Sequence, residues 1–151
     1  MSQVLVLNGP NLNLLGTREP EKYGSLTLSD IEASLAEQAA DLGISVAFYQ
    51  NNSEGALIDR VQAAKADGVK IVIVNPAGYS HSSVALRDVF LGVDMPLIEV
   101  HISNIYSREA FRHHSYFSDI AVGTLAGFGT AGYSLAMIAA CNFIQNNSIN
   151  T

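Results

Sequence analysis

Five short runs of aliphatic and β-branched residues, at 4–7, 44–49, 71–74, 97–100 and 120–122, alternate with segments whose apolar residues recur every three or four positions. This alternation constrains the fold more than any other feature of the chain. The first helical segment carries Ile31, Leu35, Ala39 and Leu42; a Ser29-x-x-Glu32 capping box opens it and Gly43 stops it. Leu57, Ile58, Val61 and Ala64 form a second that stops at Gly68, and Val84, Val89 and Phe90 a third that stops before Gly92. Residues 131–144 read as a longer apolar helix, residues 107–114 as a short one, and the polar tail 145–151 as frayed.

Strands alternating with helices call for right-handed crossovers and a parallel sheet covered on both faces. The run at 71–74 is apolar on both sides, as a central strand must be. At 151 residues the pattern predicts one α/β domain, 1–151, a flavodoxin-like doubly wound fold with a five-stranded parallel sheet. Composition narrows the function classes. With 48% hydrophobic residues the chain is not disordered, and a single cysteine, Cys141, excludes an internal disulfide framework and a multi-cysteine zinc site. Fourteen acidic against eight basic residues, net −6, repel polyphosphate backbones, so no nucleic-acid partner is expected. No basic segment precedes a long apolar one, and no run is long enough for a membrane span. The expected setting is the cytoplasm, with no membrane partner.

One connection is out of proportion. Residues 8–28 hold no helical or strand period but carry glycines at 9, 16 and 24, prolines at 10 and 20, Arg18 and Tyr23. A loop of that length in a compact domain reads as an active-site lid. Ligands of open α/β sheets bind beyond the carboxyl ends of the strands. Here those ends carry Asn8 to Asn11, then Asn75 with His81 a few residues on, then His101 with Ser103. Glu99 and His101 are two apart on a strand and leave it on one face. A carboxylate beside an imidazole fixes the tautomer and favours a proton donor. Arg18 and Tyr23 lie five apart in the loop. A tyrosine of pKa about 10 is a poor base near neutrality, and a guanidinium beside it favours the phenolate. Spacing alone does not choose between this pair and a tyrosine packed on the sheet edge with a solvated arginine. Adjacent His113 and His114 read as structural residues at an exposed helix end.

Other motifs fail on context. Gly127-Phe128-Gly129-Thr130-Ala131-Gly132 spells G-x-G-x-x-G, but the further strand and acidic residue of a dinucleotide site have no room to follow. A close-packed helix start accounts for it better. No P-loop is present. A metal would have to recruit Glu99, His81 and His101 without a helical histidine pair, so no metal is expected. Schiff-base chemistry needs a desolvated lysine, and only Lys22 is near the proposed site. Cys141 reads as a small core residue.

The motifs then converge. Leu7-Asn8-Gly9-Pro10-Asn11-Leu12-Asn13-Leu14-Leu15-Gly16, Arg18-Glu19-Pro20 and Tyr23-Gly24 resemble the opening of type II 3-dehydroquinate dehydratases. So do Glu54-Gly55, Asn75-Pro76 through His81, Arg87-Asp88, Glu99-Val100-His101-Ile102-Ser103-Asn104, Arg108-Glu109, Arg112 and Gly132-Tyr133, in order along nearly the whole chain. The resemblance implies anti elimination of water from 3-dehydroquinate through an enolate, without cofactor, metal or Schiff base, in aromatic biosynthesis or quinate breakdown. It implies Tyr23 as the base, Arg18 beside its phenolate, Asn11 holding an enolate-stabilising water and His101 as the acid, with Glu99 behind it. Asn75, His81, Ile102, Ser103 and Arg112 would hold the substrate. Asp88 would reach a neighbouring subunit in a dodecamer, a tetramer of trimers. Gly78 stands where the family also uses alanine. The competing reading, from fold analogy alone, is a flavin- or nucleotide-binding module; an assembly-only domain would leave the polar strand ends unexplained.

Overall fold

Five parallel strands make one sheet in the order β2-β1-β3-β4-β5. They are β1 (Val4–Asn8), β2 (Val46–Gln50), β3 (Ile71–Asn75), β4 (Leu97–His101) and β5 (Gly123–Ala126). The computed structural model describes residues 1–17, 21 and 25–149, with backbone alone at 148 and 149. β1, β3 and β4 are buried along their whole length, which is why their sequences run apolar without alternation. This is the flavodoxin-like order, with β3 in the middle as the sequence predicts.

Helices α1 (Leu28–Leu42), α2 (Glu54–Ala66), α3 (Val84–Gly92) and α4 (Ala131–Ile149) cover the sheet. On one face α1 and α4 bury Ile31, Leu35, Ala39, Tyr133, Ala136 and Met137 against Val4, Val6, Ile71 and Ile73. On the other, α2 and α3 bury Leu57, Val61, Leu86 and Phe90 against Leu5, Leu7, Val72 and Val74. The two-residue strand period sorts alternate side chains to the two cores. Cys141 is buried on α4, as a core residue.

Four local expectations need correction. The capping box of α1 is Thr27 with Asp30, not Ser29 with Glu32: Thr27 Oγ1 accepts from the Asp30 N–H at 3.1 Å and Asp30 accepts from the Thr27 N–H at 3.0 Å. The last strand is Gly123–Ala126 rather than 120–122. Ile120 and Ala121 pack instead against the α2/α3 core, and the edge strand that follows has no β-branched run to announce it. The expected helix at 107–114 is two 3₁₀ turns, Ile105–Ser107 and Ala110–Arg112. The last helix runs past the expected 144: Phe143 and Ile144 pack against the core, and α4 continues to Ile149. Residues 150–151 lie outside the described residues.

Candidate active site

The sheet changes winding direction between β1 and β3, because β1 leads away to β2 on one side and β3 to β4 on the other. A crevice opens at such a point, at the carboxyl ends of the strands. β1 and β3 reach it in register, Asn8 beside Asn75. The two loops leaving them touch so closely that a Cβ at Gly9 would sit 2.5 Å from the Pro76 carbonyl oxygen, so only glycine fits there. Asn11 follows in the left-handed region at φ 69°, which asparagine tolerates, with its N–H donating to Asn52 Oδ1 at 3.0 Å.

The resulting cleft encloses about 240 Å³. Of the residues the sequence singled out, Asn11, Asn75, His81, His101, Ile102, Ser103 and Arg112 all line it, as does Gly78. Asp88 does not: it is exposed on α3, away from the cleft of its own chain. Arg18, Lys22 and Tyr23 lie outside the described residues, and with them the middle of the expected lid.

Glu99 is wholly buried and accepts from His101 Nε2, as two-residue strand spacing requires. It also accepts from Ser115 Oγ at 2.6 Å, Ser118 Oγ at 2.6 Å and Thr124 Oγ1 at 3.3 Å. Burial works hardest against the charge, yet the hydrogen bonds from His101 and the two serines together hold the carboxyl below its ordinary range. Glu99 is therefore an anion that fixes the His101 ring and leaves Nδ1 as the nitrogen available to the cleft. His81 stacks near-parallel to His101, ring centroids 6.5 Å apart, and its Nδ1 donates to the His114 carbonyl at 2.8 Å. Burial lowers the His81 pKa, so this ring is neutral near pH 7 and offers Nε2 as an acceptor. His113 and His114 are exposed and serve structure, His114 through its backbone.

Cations gather at the rim. Arg108 donates to Ser103 Oγ at 3.3 Å, and Arg112 donates from Nε to Glu109 at 3.1 Å while lying 4.9 Å over the Phe111 ring. Both guanidinium groups line the cleft, and among the described lining residues there is no carboxylate. In a chain of net charge −6 this is a local inversion suited to a small anion. Among the described residues no three of His, Cys, Asp and Glu come together as a metal site. No described helix is long and apolar enough to cross a membrane.

Sequence reading assigned no part to Arg108, Ser115, Ser118, Thr124, Asn8 or Tyr133. Ser115, Ser118 and Thr124 sit 16 to 25 residues from Glu99 and carry no local signal. The G-x-G-x-x-G segment leads into the start of α4. Gly127 and Gly129 take φ +91° and +63°, and a Cβ on Gly132 would lie 3.4 Å from Val100.

The chain is similar to known proteins over most of its length. The family model described as dehydroquinase class II matches residues 2–141. The 3-dehydroquinate dehydratase 1 of Ralstonia nicotianae is 61% identical over 89% of this chain and 86% of its own length. The 3-dehydroquinate dehydratase of Teredinibacter turnerae is 54% identical over 97% of this chain and 96% of its own. The crystal structure of a type II dehydroquinase from Propionibacterium acnes superposes with TM-score 0.88 at 45% identity, covering 94% of this chain and 98% of that one.

Proposed function

Because this chain belongs to the class II dehydroquinase family, we propose that its strand-end cleft is where 3-dehydroquinate loses water to give 3-dehydroshikimate. The reaction of the chain is the dehydration of 3-dehydroquinate; the division of labour in the cleft is our reading. The observation that carries it is His101, pinned through Nε2 by the buried Glu99 anion and bordering the cleft beside neutral His81.

Tyr23 takes the proton from the carbon next to the ketone, with Arg18 favouring its phenolate. The electrons move onto the carbonyl oxygen as an enolate, where a water held by Asn11 stabilises the charge. As the enolate collapses, the hydroxyl leaves with a proton from His101, so the sum is substrate to product plus water. Arg112 faces the substrate carboxylate, and a lining that carries Arg108 and Arg112 with no carboxylate among its described residues supports that assignment. Asn75, His81, Ser103 and the backbone at Ile102 and Ser103 hold the hydroxyl groups. No lysine imine or metal takes part. This chemistry outweighs the flavin-binding alternative, which stood on fold analogy alone.

The wider setting follows the family: aromatic biosynthesis or quinate breakdown, in the cytoplasm, by a homododecamer built as a tetramer of trimers. The exposed position of Asp88, outside its own cleft, supports its reaching a neighbour's site. The product contains a conjugated enone that the substrate lacks, so ultraviolet absorbance with chelator present tests the reading. Turnover should persist with borohydride added beside substrate. Tyr23→Phe should abolish it with the fold intact, and substantial residual activity in that variant would remove Tyr23 as the base.

A further inference from the structure

At the switch point one phenol joins the two central strands. Tyr133, the third residue of α4, is fully buried; its O–H donates to Asn8 Oδ1 at 2.6 Å and its oxygen accepts from Asn75 Nδ2 at 2.9 Å. The other end of the Asn75 carboxamide is held too, because Oδ1 accepts the Ala77 N–H at 3.1 Å. A backbone N–H can only donate, so a flipped carboxamide would set donor against donor at Ala77. The order of hydrogen bonds is thus fixed from Ala77 through Asn75 and Tyr133 to Asn8. It leaves one N–H of Asn75 without a partner among the described residues, on a side chain that lines the cleft.

A phenylalanine would fill the same volume, and a buried hydroxyl is costly without partners. Burial also pushes the Tyr133 phenol well above its usual range, so the group stays protonated and keeps its direction of donation. Asn8 Nδ2 has no hydrogen-bond partner among the described residues, so the bond from Tyr133 is the one that side chain makes there.

We infer that Tyr133 is a positioning residue for the dehydration, setting the Asn75 carboxamide so that its free N–H faces the substrate. The inference rests on the assignment of Asn75 to the substrate given above. Its test is a double-mutant cycle of Tyr133→Phe and Asn75→Ala, read as KM and kcat from enone absorbance, with circular dichroism on each variant. Asn75→Ala should raise KM roughly tenfold or more and leave kcat nearly unchanged. Tyr133→Phe should raise KM about tenfold in the parent, and by less than about twofold once Asn75 is alanine. Equal losses in both backgrounds would overturn the inference and make Tyr133 a core residue only. An Asn75→Ala variant with parental KM would instead overturn the Asn75 assignment, and the inference with it. Should Tyr133→Phe not fold, Asn8→Ala, which removes the acceptor at the far end, should give a smaller KM rise that again vanishes with Asn75→Ala.

Discussion

The two faces of the sheet meet the cleft with opposite chemistries. On the α1/α4 face, Asn8, Tyr133 and Asn75 are joined by neutral hydrogen bonds. On the α2/α3 face a buried anion, Glu99, gathers His101, Ser115, Ser118 and Thr124. Each cluster delivers one side chain to the cleft, Asn75 or His101. A neutral relay keeps its geometry across the pH range where carboxylates and imidazoles titrate, which suits it to orienting a substrate. A buried carboxylate that pins an imidazole presents a ring able to hand a proton to a leaving group, which suits the pair to the elimination step. One switch point thus separates holding from reacting by assigning each to its own face.

On the reacting face a large effect is expected at Glu99. Glu99→Gln keeps the shape but removes the anion behind His101; kcat should fall about 100-fold with KM little changed. Enone absorbance under saturating substrate measures it, and parental kcat would show that the charge plays no part in proton transfer.

Ser115→Ala combined with Ser118→Ala should have a smaller effect, because it leaves the anion and removes two of its donors. A hydrogen bond to a buried charge contributes about 1.5–3 kcal/mol, with the more exposed Ser118 giving less. The folded-state pKa of Glu99 lies below the ordinary 4.5, so its stabilisation is present above about that pH and is lost as pH falls through the folded value. Thermal melts should therefore show the double variant less stable at pH 7, with the gap to the parent closing below about pH 4.5. A gap independent of pH would mean the hydroxyls act on packing, not on the carboxylate.

Much of this was legible because it is periodic. The buried strands at 4–7, 71–74 and 97–100 and the helix stops at Gly43 and Gly68 follow from patterns of apolar residues and glycine. The i, i+2 spacing of Glu99 and His101 is enough to put both side chains on one face of β4. What stayed hidden depends on long-range packing. Ile120 looks like strand but fills the α2/α3 core, so β5 begins later, at Gly123. Thr27 outcompetes Ser29 as a cap because its partner Asp30 closes the box in both directions. Ser115 and Ser118 resemble any loop serines until the fold brings them to Glu99. Tyr133 reads as one more aromatic on an apolar helix until its hydroxyl meets two asparagines from different strands.

Whether the two faces do different work is decided by measuring kcat and KM for His101→Ala and Asn75→Ala side by side with 3-dehydroquinate. His101→Ala should lower kcat by about 10² to 10⁴ with KM near the parent. Asn75→Ala should raise KM with kcat near the parent. Losses falling on the same parameter in both variants, or a His101→Ala enzyme that keeps its kcat, would contradict it.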